Sequence, residues 1–174
     1  NDPDADARRA LHISLPFCPV RCLNCENDSI ITHDGRKIDH YIDNIEREAE
    51  LLVETLGFRP RLQQLHLGGG SPNYLVDRQL VRLMGIVDDH FVVDDETQQS
   101  LDANPKRTSP SQLKLLRGLG FDRISLSIRD LDPSVQLAIG RTLSLDMIRD
   151  VFDNVRDAGF KTVGTDIMDG LPCQ

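Results

Sequence analysis

Short apolar runs alternate along the chain with longer segments whose apolar residues recur at helical spacing. Residues 11–15 (L-H-I-S-L) predict a strand that ends at Pro16. Over residues 36–56, Ile38, Tyr41, Ile42, Ile45, Ala49, Leu52 and Leu56 share one face while Asp and Glu occupy the other. That is an amphipathic helix with a solvated outer face, and Gly57 is its stop signal. The unit then repeats. Strands over 62–67, 98–103, 123–128 and 161–168 alternate with helices over 77–91, 111–119, 133–139 and 145–158. Glycine or Asn-Pro punctuates most of the joints, as at Gly68, Asn104-Pro105, Gly120, Gly159 and Gly170.

Repeated strand–helix alternation predicts an α/β fold with a parallel sheet, because right-handed crossovers join parallel neighbours. An open doubly wound sheet and a barrel or partial barrel both fit this order. The glycines that follow the second strand lack the G-x-G-x-x-G spacing of a dinucleotide fold. Either architecture puts the active face at the carboxyl ends of the strands. The chemistry-bearing residues fall there: Cys18, Cys22 and Cys25 after the first strand, the glycine run after the second, Asp102 in the third, Arg129 after the fourth and Asp166 in the fifth.

Composition narrows the function. Lys and Arg total 20 against 28 Asp and Glu, a formal net charge of −8. Such a balance disfavours broad, charge-driven nucleic-acid binding. No apolar run approaches the roughly 20 residues of a membrane span. The start reads as the beginning of a trimmed chain, with neither an apolar signal segment nor an initiator Met. Four cysteines are too few for a disulfide scaffold, and three of them lie between positions 18 and 25. That clustering points to a metal or redox site in a reducing, cytoplasmic compartment.

The triplet reads C-P-V-R-C-L-N-C. Zinc takes four ligands, and only three are local; Cys173 or His33 could add a fourth, but the spacing selects neither. A Cys22–Cys25 redox pair leaves Cys18 unexplained. Three thiolates on one tight loop suit three corners of a cubane iron–sulfur cluster, with the fourth iron open to a ligand.

This spacing is the signature of the radical S-adenosylmethionine superfamily. The ordered series I-S-L-P-F-C-P-V-R-C-L-N-C, L-H-L-G-G-G-S-P-N-Y-L, S-L-D-A-N-P-K, R-I-S-L-S-I-R-D-L-D-P-S-V-Q-L-A-I-G-R and D-I-M-D-G-L-P resembles the oxygen-independent coproporphyrinogen III oxidase family over nearly the whole chain. The resemblance implies a 4Fe–4S cluster on Cys18, Cys22 and Cys25, and one or two S-adenosylmethionine molecules. It implies a porphyrinogen substrate whose propionates are oxidatively decarboxylated to vinyl groups through a 5′-deoxyadenosyl radical, and a protein electron donor. By motif, Gly69, Gly70, Ser71 and Asp102 match cofactor-contacting positions, with Asp102 one methylene shorter than the family's Glu. Arg141 and Asp166 match positions that bind a second cofactor molecule. The family barrel has six strands and a further C-terminal domain. Residues 1–174 therefore read as a partial (βα) barrel with five of six strands, truncated at its C-terminal end.

The chain also departs from the family. Three further cofactor-binding positions implied by the resemblance carry changed residues: His12 stands where the oxidases have a cofactor-contacting Tyr, Asn24 replaces an aromatic, and Arg129 replaces a Gln near the second cofactor. Asn27 replaces a non-ligating Cys, as in a related haem-chaperone branch, which binds haem without decarboxylation. In contrast, R-D-L-D-P-S-V-Q and the glycine-turn motif are closer to the oxidases. Oligomeric state is not encoded in any of these motifs. His66 and His12 read as satisfied rim or core groups.

Overall fold

The computed structural model describes residues 7–25 and 27–174. Five parallel strands form one sheet: β1 (Arg9–Leu15), β4 (Leu62–Gly69), β5 (Gln98–Ala103), β6 (Arg123–Arg129) and β7 (Thr162–Ile167). Between β1 and the first helix lies a small parallel pair that the hydropathy pattern does not show, β2 (Phe17–Cys18) with β3 (Ile30–Ile31). The helices are α1 (Gly35–Leu56), α2 (Asp77–His90), α3 (Pro110–Gly118), α4 (Pro133–Ala138) and α5 (Leu145–Asp157).

The order β1-β4-β5-β6-β7 follows the chain without reversal. Right-handed crossovers in unreversed order put all helices on one face, as in a barrel, whereas a doubly wound sheet reverses direction. The barrel is not closed: β1 and β7 each keep one edge unpaired among the described residues. The architecture is therefore the expected partial barrel.

Strand composition explains why one face is left for a site. Ile13 and Leu15, Leu65 and Leu67, Leu101 and Ala103, and Ile124 and Leu126 are buried and pack with Ile42, Leu80, Leu83, Leu113, Leu116 and Val155 from the helices. The intervening positions, His12, Ser14, His66, Ser100, Asp102, Ser125, Ser127 and Asp166, turn to the opposite face. A parallel sheet covered on both faces carries continuous apolar runs. This one alternates, so its inner face is polar.

Helix ends follow local chemistry. Asp34 caps α1 by accepting from the Arg36 N–H, and Gly57 ends it with φ 73°. The acidic outer face of α1 is partly tied to α2 rather than only solvated. Arg82 reaches Asp43 and Glu46 at 2.7 and 2.8 Å, and Arg78 reaches Asp39 at 2.8 Å. No described helix is long and apolar enough to cross a membrane.

At the amino ends of the strands, Arg8 and Arg61 converge on Asp94 at 3.0 and 2.8 Å. Hydrogen bonding from Arg8 holds the Asp94 carboxyl down to about 2, below its ordinary 3.8. A depressed carboxylate stabilises the fold above its ordinary pKa and loses that contribution as pH falls through its folded value. Denaturant midpoints for the wild type and Asp94→Asn should therefore differ at neutral pH and converge between about pH 4 and 2. A constant difference over that range would exclude this linkage.

Candidate functional site

One cleft lies at the carboxyl ends of the strands. It is lined by Cys18, Cys22, Asn24, Cys25, Gly69, Gly70, Ser71, Asp102, Arg129, Arg141 and Asp166, with Asn27, Ser29, Asn104, Ser127 and Met168. The structure thus brings together every sequence-predicted site residue except His12.

The cysteine loop is held from three directions. The β2–β3 pair fixes its start. The Ser71 hydroxyl lies 3.6 Å from Cys18 Sγ, and the Ser29 hydroxyl 3.3 Å from Cys25 Sγ. From α4's far end, Ile139 O accepts the Leu23 N–H at 3.2 Å, and Arg141 donates to Cys22 Sγ at 3.6 Å. Asn27 donates its side-chain amide to Gly69 O, joining the cysteine loop to the glycine turn. Asn24 donates to Met168 Sδ at 3.3 Å.

All four cysteines are free. Cys173 is exposed and does not line the cleft. Among the described residues, no three His, Cys, Asp or Glu side chains converge to hold a single ion. A zinc knuckle needs that convergence on one atom. A cubane does not, because each thiolate takes a different iron. Three free thiols line one cleft, a donor set that suits three corners of a cubane cluster.

The glycine turn has two separate constraints. Gly69 has φ 97°, a backbone that L side chains rarely adopt. Gly70 packs directly on the chain entering the cysteine loop: its N–H donates to Leu15 O at 2.8 Å, and the Ser71 N–H to Phe17 O at 3.0 Å. These two N–H groups are engaged within the fold, and so are Gly69 O, which accepts from the Asn27 side chain, and Ser71 O, which accepts the Tyr74 N–H at 2.8 Å.

Asp166 receives hydrogen bonds from Ser125 (3.1 Å) and Ser127 (3.4 Å), and Arg129 lies 4.0 Å from it. Arg129 also has φ 76°. Of the two cleft carboxylates, Asp102 and Asp166, the one within ion-pair reach of Arg129 is Asp166. At 29% and 42% side-chain exposure this long pair is well screened, so Arg129→Gln should cost at most about 1 kcal/mol in a denaturant titration. A loss of several kcal/mol would mean the pair is a buried structural one.

The sequence reads His66 as a satisfied group, and the structure supplies its partners. Its Nδ1 lies 2.9 Å from the Ser100 hydroxyl and its Nε2 3.4 Å from Asp102 Oδ2. His12, below the cleft, packs edge-on against it with ring centroids 5.0 Å apart. The signal was the register: His12, His66 and Ser100 are cross-strand neighbours on the polar face.

Comparison with known proteins agrees with this geometry. The model of the Radical SAM superfamily matches residues 13–173, and the chain belongs to that superfamily. A curated relative, the oxygen-independent coproporphyrinogen III oxidase of Synechocystis, is 34% identical over 165 residues, covering 95% of this chain and 35% of its own. The solved coproporphyrinogen III oxidase of Escherichia coli, described as a radical SAM enzyme, superposes with TM-score 0.90 at 30% identity, covering 99% of this chain and 40% of that one. An archaeal Elp3 from Methanocaldococcus infernus (TM-score 0.61, 14% identity, 96% of this chain and 39% of that one) shares the fold alone. The chain spans about a third of the length of the curated relatives it matches.

Proposed function

We propose that this chain is the cofactor-binding part of a radical enzyme resembling the oxygen-independent coproporphyrinogen III oxidases. It would act on the propionates of a porphyrinogen in haem biosynthesis. The observation that supports this most is the single cleft at the strand ends, where three free thiols face the glycine turn and the Arg129–Asp166 pair. When bound there, a 4Fe–4S cluster and S-adenosylmethionine supply one-electron reduction and hydrogen-atom abstraction.

The chain's own residues bind, orient and shield. Cys18, Cys22 and Cys25 ligate the cluster. The Gly69, Gly70 and Ser71 turn lines the cleft beside the cysteines and borders the methionyl end of the cofactor. Asp102, with one oxygen beside His66, accepts a ligand hydroxyl or ammonium with the other; His12 acts on it only through His66. Asn24 closes one wall against Met168. Arg129, a guanidinium where the family has a neutral Gln, pairs with a substrate propionate or a methionyl carboxylate. Asp166 and Arg141 border the volume in which a second S-adenosylmethionine would sit. The electron comes from an external donor protein, and the setting is cytoplasmic.

A haem chaperone is the second reading, favoured by Asn27. It replaces the oxidases' extra Cys and bonds Gly69 O instead. Anaerobic reconstitution of the full-length protein, assayed in parallel for coproporphyrinogen consumption and for stable haem binding, separates the two. Turnover with vinyl product supports the oxidase; haem retention without turnover supports the chaperone. Neither, in a cluster-loaded protein, would overturn both.

A further inference from the structure

The segment after α4 grips the cysteine loop in a way that motif matching does not anticipate. Arg141 and Cys22 are 119 residues apart in sequence, yet the guanidinium Nη1 donates to Cys22 Sγ at 3.6 Å. The other terminal nitrogen donates to Ser127 O at 2.7 Å, at the end of β6. The remaining nitrogen, Nε, is buried and has no hydrogen-bond partner.

This placement is built rather than incidental. Gln136, 3% exposed, donates its side-chain amide to Asp130 O at 2.9 Å and accepts from the Leu143 N–H at 2.7 Å. Its backbone carbonyl accepts the Arg141 N–H at 2.8 Å. One buried amide therefore fixes both flanks of the turn that carries Arg141. On the same segment, Ile139 O holds the Leu23 N–H, and a Cβ on Gly140 would lie 3.6 Å from Leu23. Arg141 is half-buried at the cleft wall, and its buried, unpartnered Nε is a polar atom that costs free energy unless something nearby compensates it. A thiolate in an anionic cluster is the counter-charge this geometry anticipates.

We infer that Arg141 is a positioning residue for the cluster, whose guanidinium beside Cys22 raises the cluster's reduction potential. The inference rests on the radical-enzyme reading above, and it gives Arg141 a role toward the cluster ligand beside the second-cofactor role that the motif implies. Reduction takes one electron from an external one-electron donor and adds one unit of negative charge, part of which the ligand sulfurs carry. Hydrogen bonds and net charge at those sulfurs are main determinants of cluster potential, and groups just outside the ligands tune the metal. A fixed cation at Cys22 stabilises the reduced form more than the oxidised one.

The test is an anaerobic titration of reconstituted full-length protein with dithionite, followed by the paramagnetic signal of the reduced cluster, with iron counted per chain. Arg141→Gln is expected to bind the same iron and to lower the equilibrium constant for reduction about tenfold, a midpoint shift of about 59 mV to more negative values. Arg141→Lys, which keeps the charge, should shift it less. Unchanged potential in an iron-loaded Arg141→Gln overturns the inference, as does an equal shift in both variants. If only Arg141→Gln loses iron, the charge beside Cys22 is needed even to hold the cluster, which supports the assignment. Loss from both variants overturns it in favour of packing. Absence of any cluster in the wild type would instead defeat the radical-enzyme reading on which it rests.

Discussion

Replacing any one of Cys18, Cys22 or Cys25 by Ala should reduce anaerobically reconstituted iron from about four per chain to a small residue, while Cys173→Ala leaves it unchanged. Each of the three thiols lines the same cleft, and each has its own polar neighbour: Ser71 for Cys18, Arg141 for Cys22 and Ser29 for Cys25. Those separate settings are why the loss should be similar at each position rather than graded. A cubane corner without its thiolate would leave an iron exposed to water. Cys173 lies outside the cleft, exposed and at φ 70°. Melting temperatures of the cluster-free variants should match the cluster-free wild type, because none of the three sulfurs belongs to the apolar core. Zinc bound in place of iron, or iron lost on replacing Cys173, would remove the cluster assignment.

Much of this was legible in the chain because its strands alternate. In β6, Ile124, Leu126 and Ile128 are buried while Ser125, Ser127 and Arg129 face the cleft side. A period of two therefore marks both the strand and the face that holds the site. The α5 pattern, with Ile148, Val151 and Val155 buried, fixes the helix in the same way. Other features lie beyond what periodicity carries. The β2–β3 pair has two residues per strand, too short for any period, and it is held by backbone bonds between segments flanking the cysteines. His66 looked like an ordinary strand histidine, since its link to Asp102 depends on the register of β4 against β5. The Arg141–Cys22 contact depends on how one turn folds back across the barrel mouth, which no local pattern encodes. Motif matching placed Arg141 in the site, but only the structure shows which atom it meets.

Gly70→Ala should disrupt the site more than its single added methyl suggests. A Cβ at that position would lie 2.8 Å from Phe17 O, 2.8 Å from Pro16 C and 2.9 Å from Leu15 O. All three are backbone atoms, so no side chain can rotate away. Relief requires moving the segment that leads into Cys18, the same segment that accepts the Gly70 and Ser71 N–H groups. Overpacking of this kind costs about 1–3 kcal/mol, and the displaced backbone carries a cluster ligand. The expected result is a lower denaturation midpoint together with reduced iron content. Gly69 is a poorer test, because its φ of 97° strains any replacement whatever the available space. Gly85 supplies the control: it sits on the exposed side of α2, and a Cβ there meets nothing within 4 Å. Gly85→Ala should stabilise the helix by about 0.5–1 kcal/mol and leave iron content unchanged. If Gly70→Ala melts like the wild type and holds its full iron, the glycine turn is not packed against the cysteine loop as described. A variant that loses stability yet keeps its iron would separate the two effects, and would show that the Cys18 loop accommodates the shift without giving up its ligand.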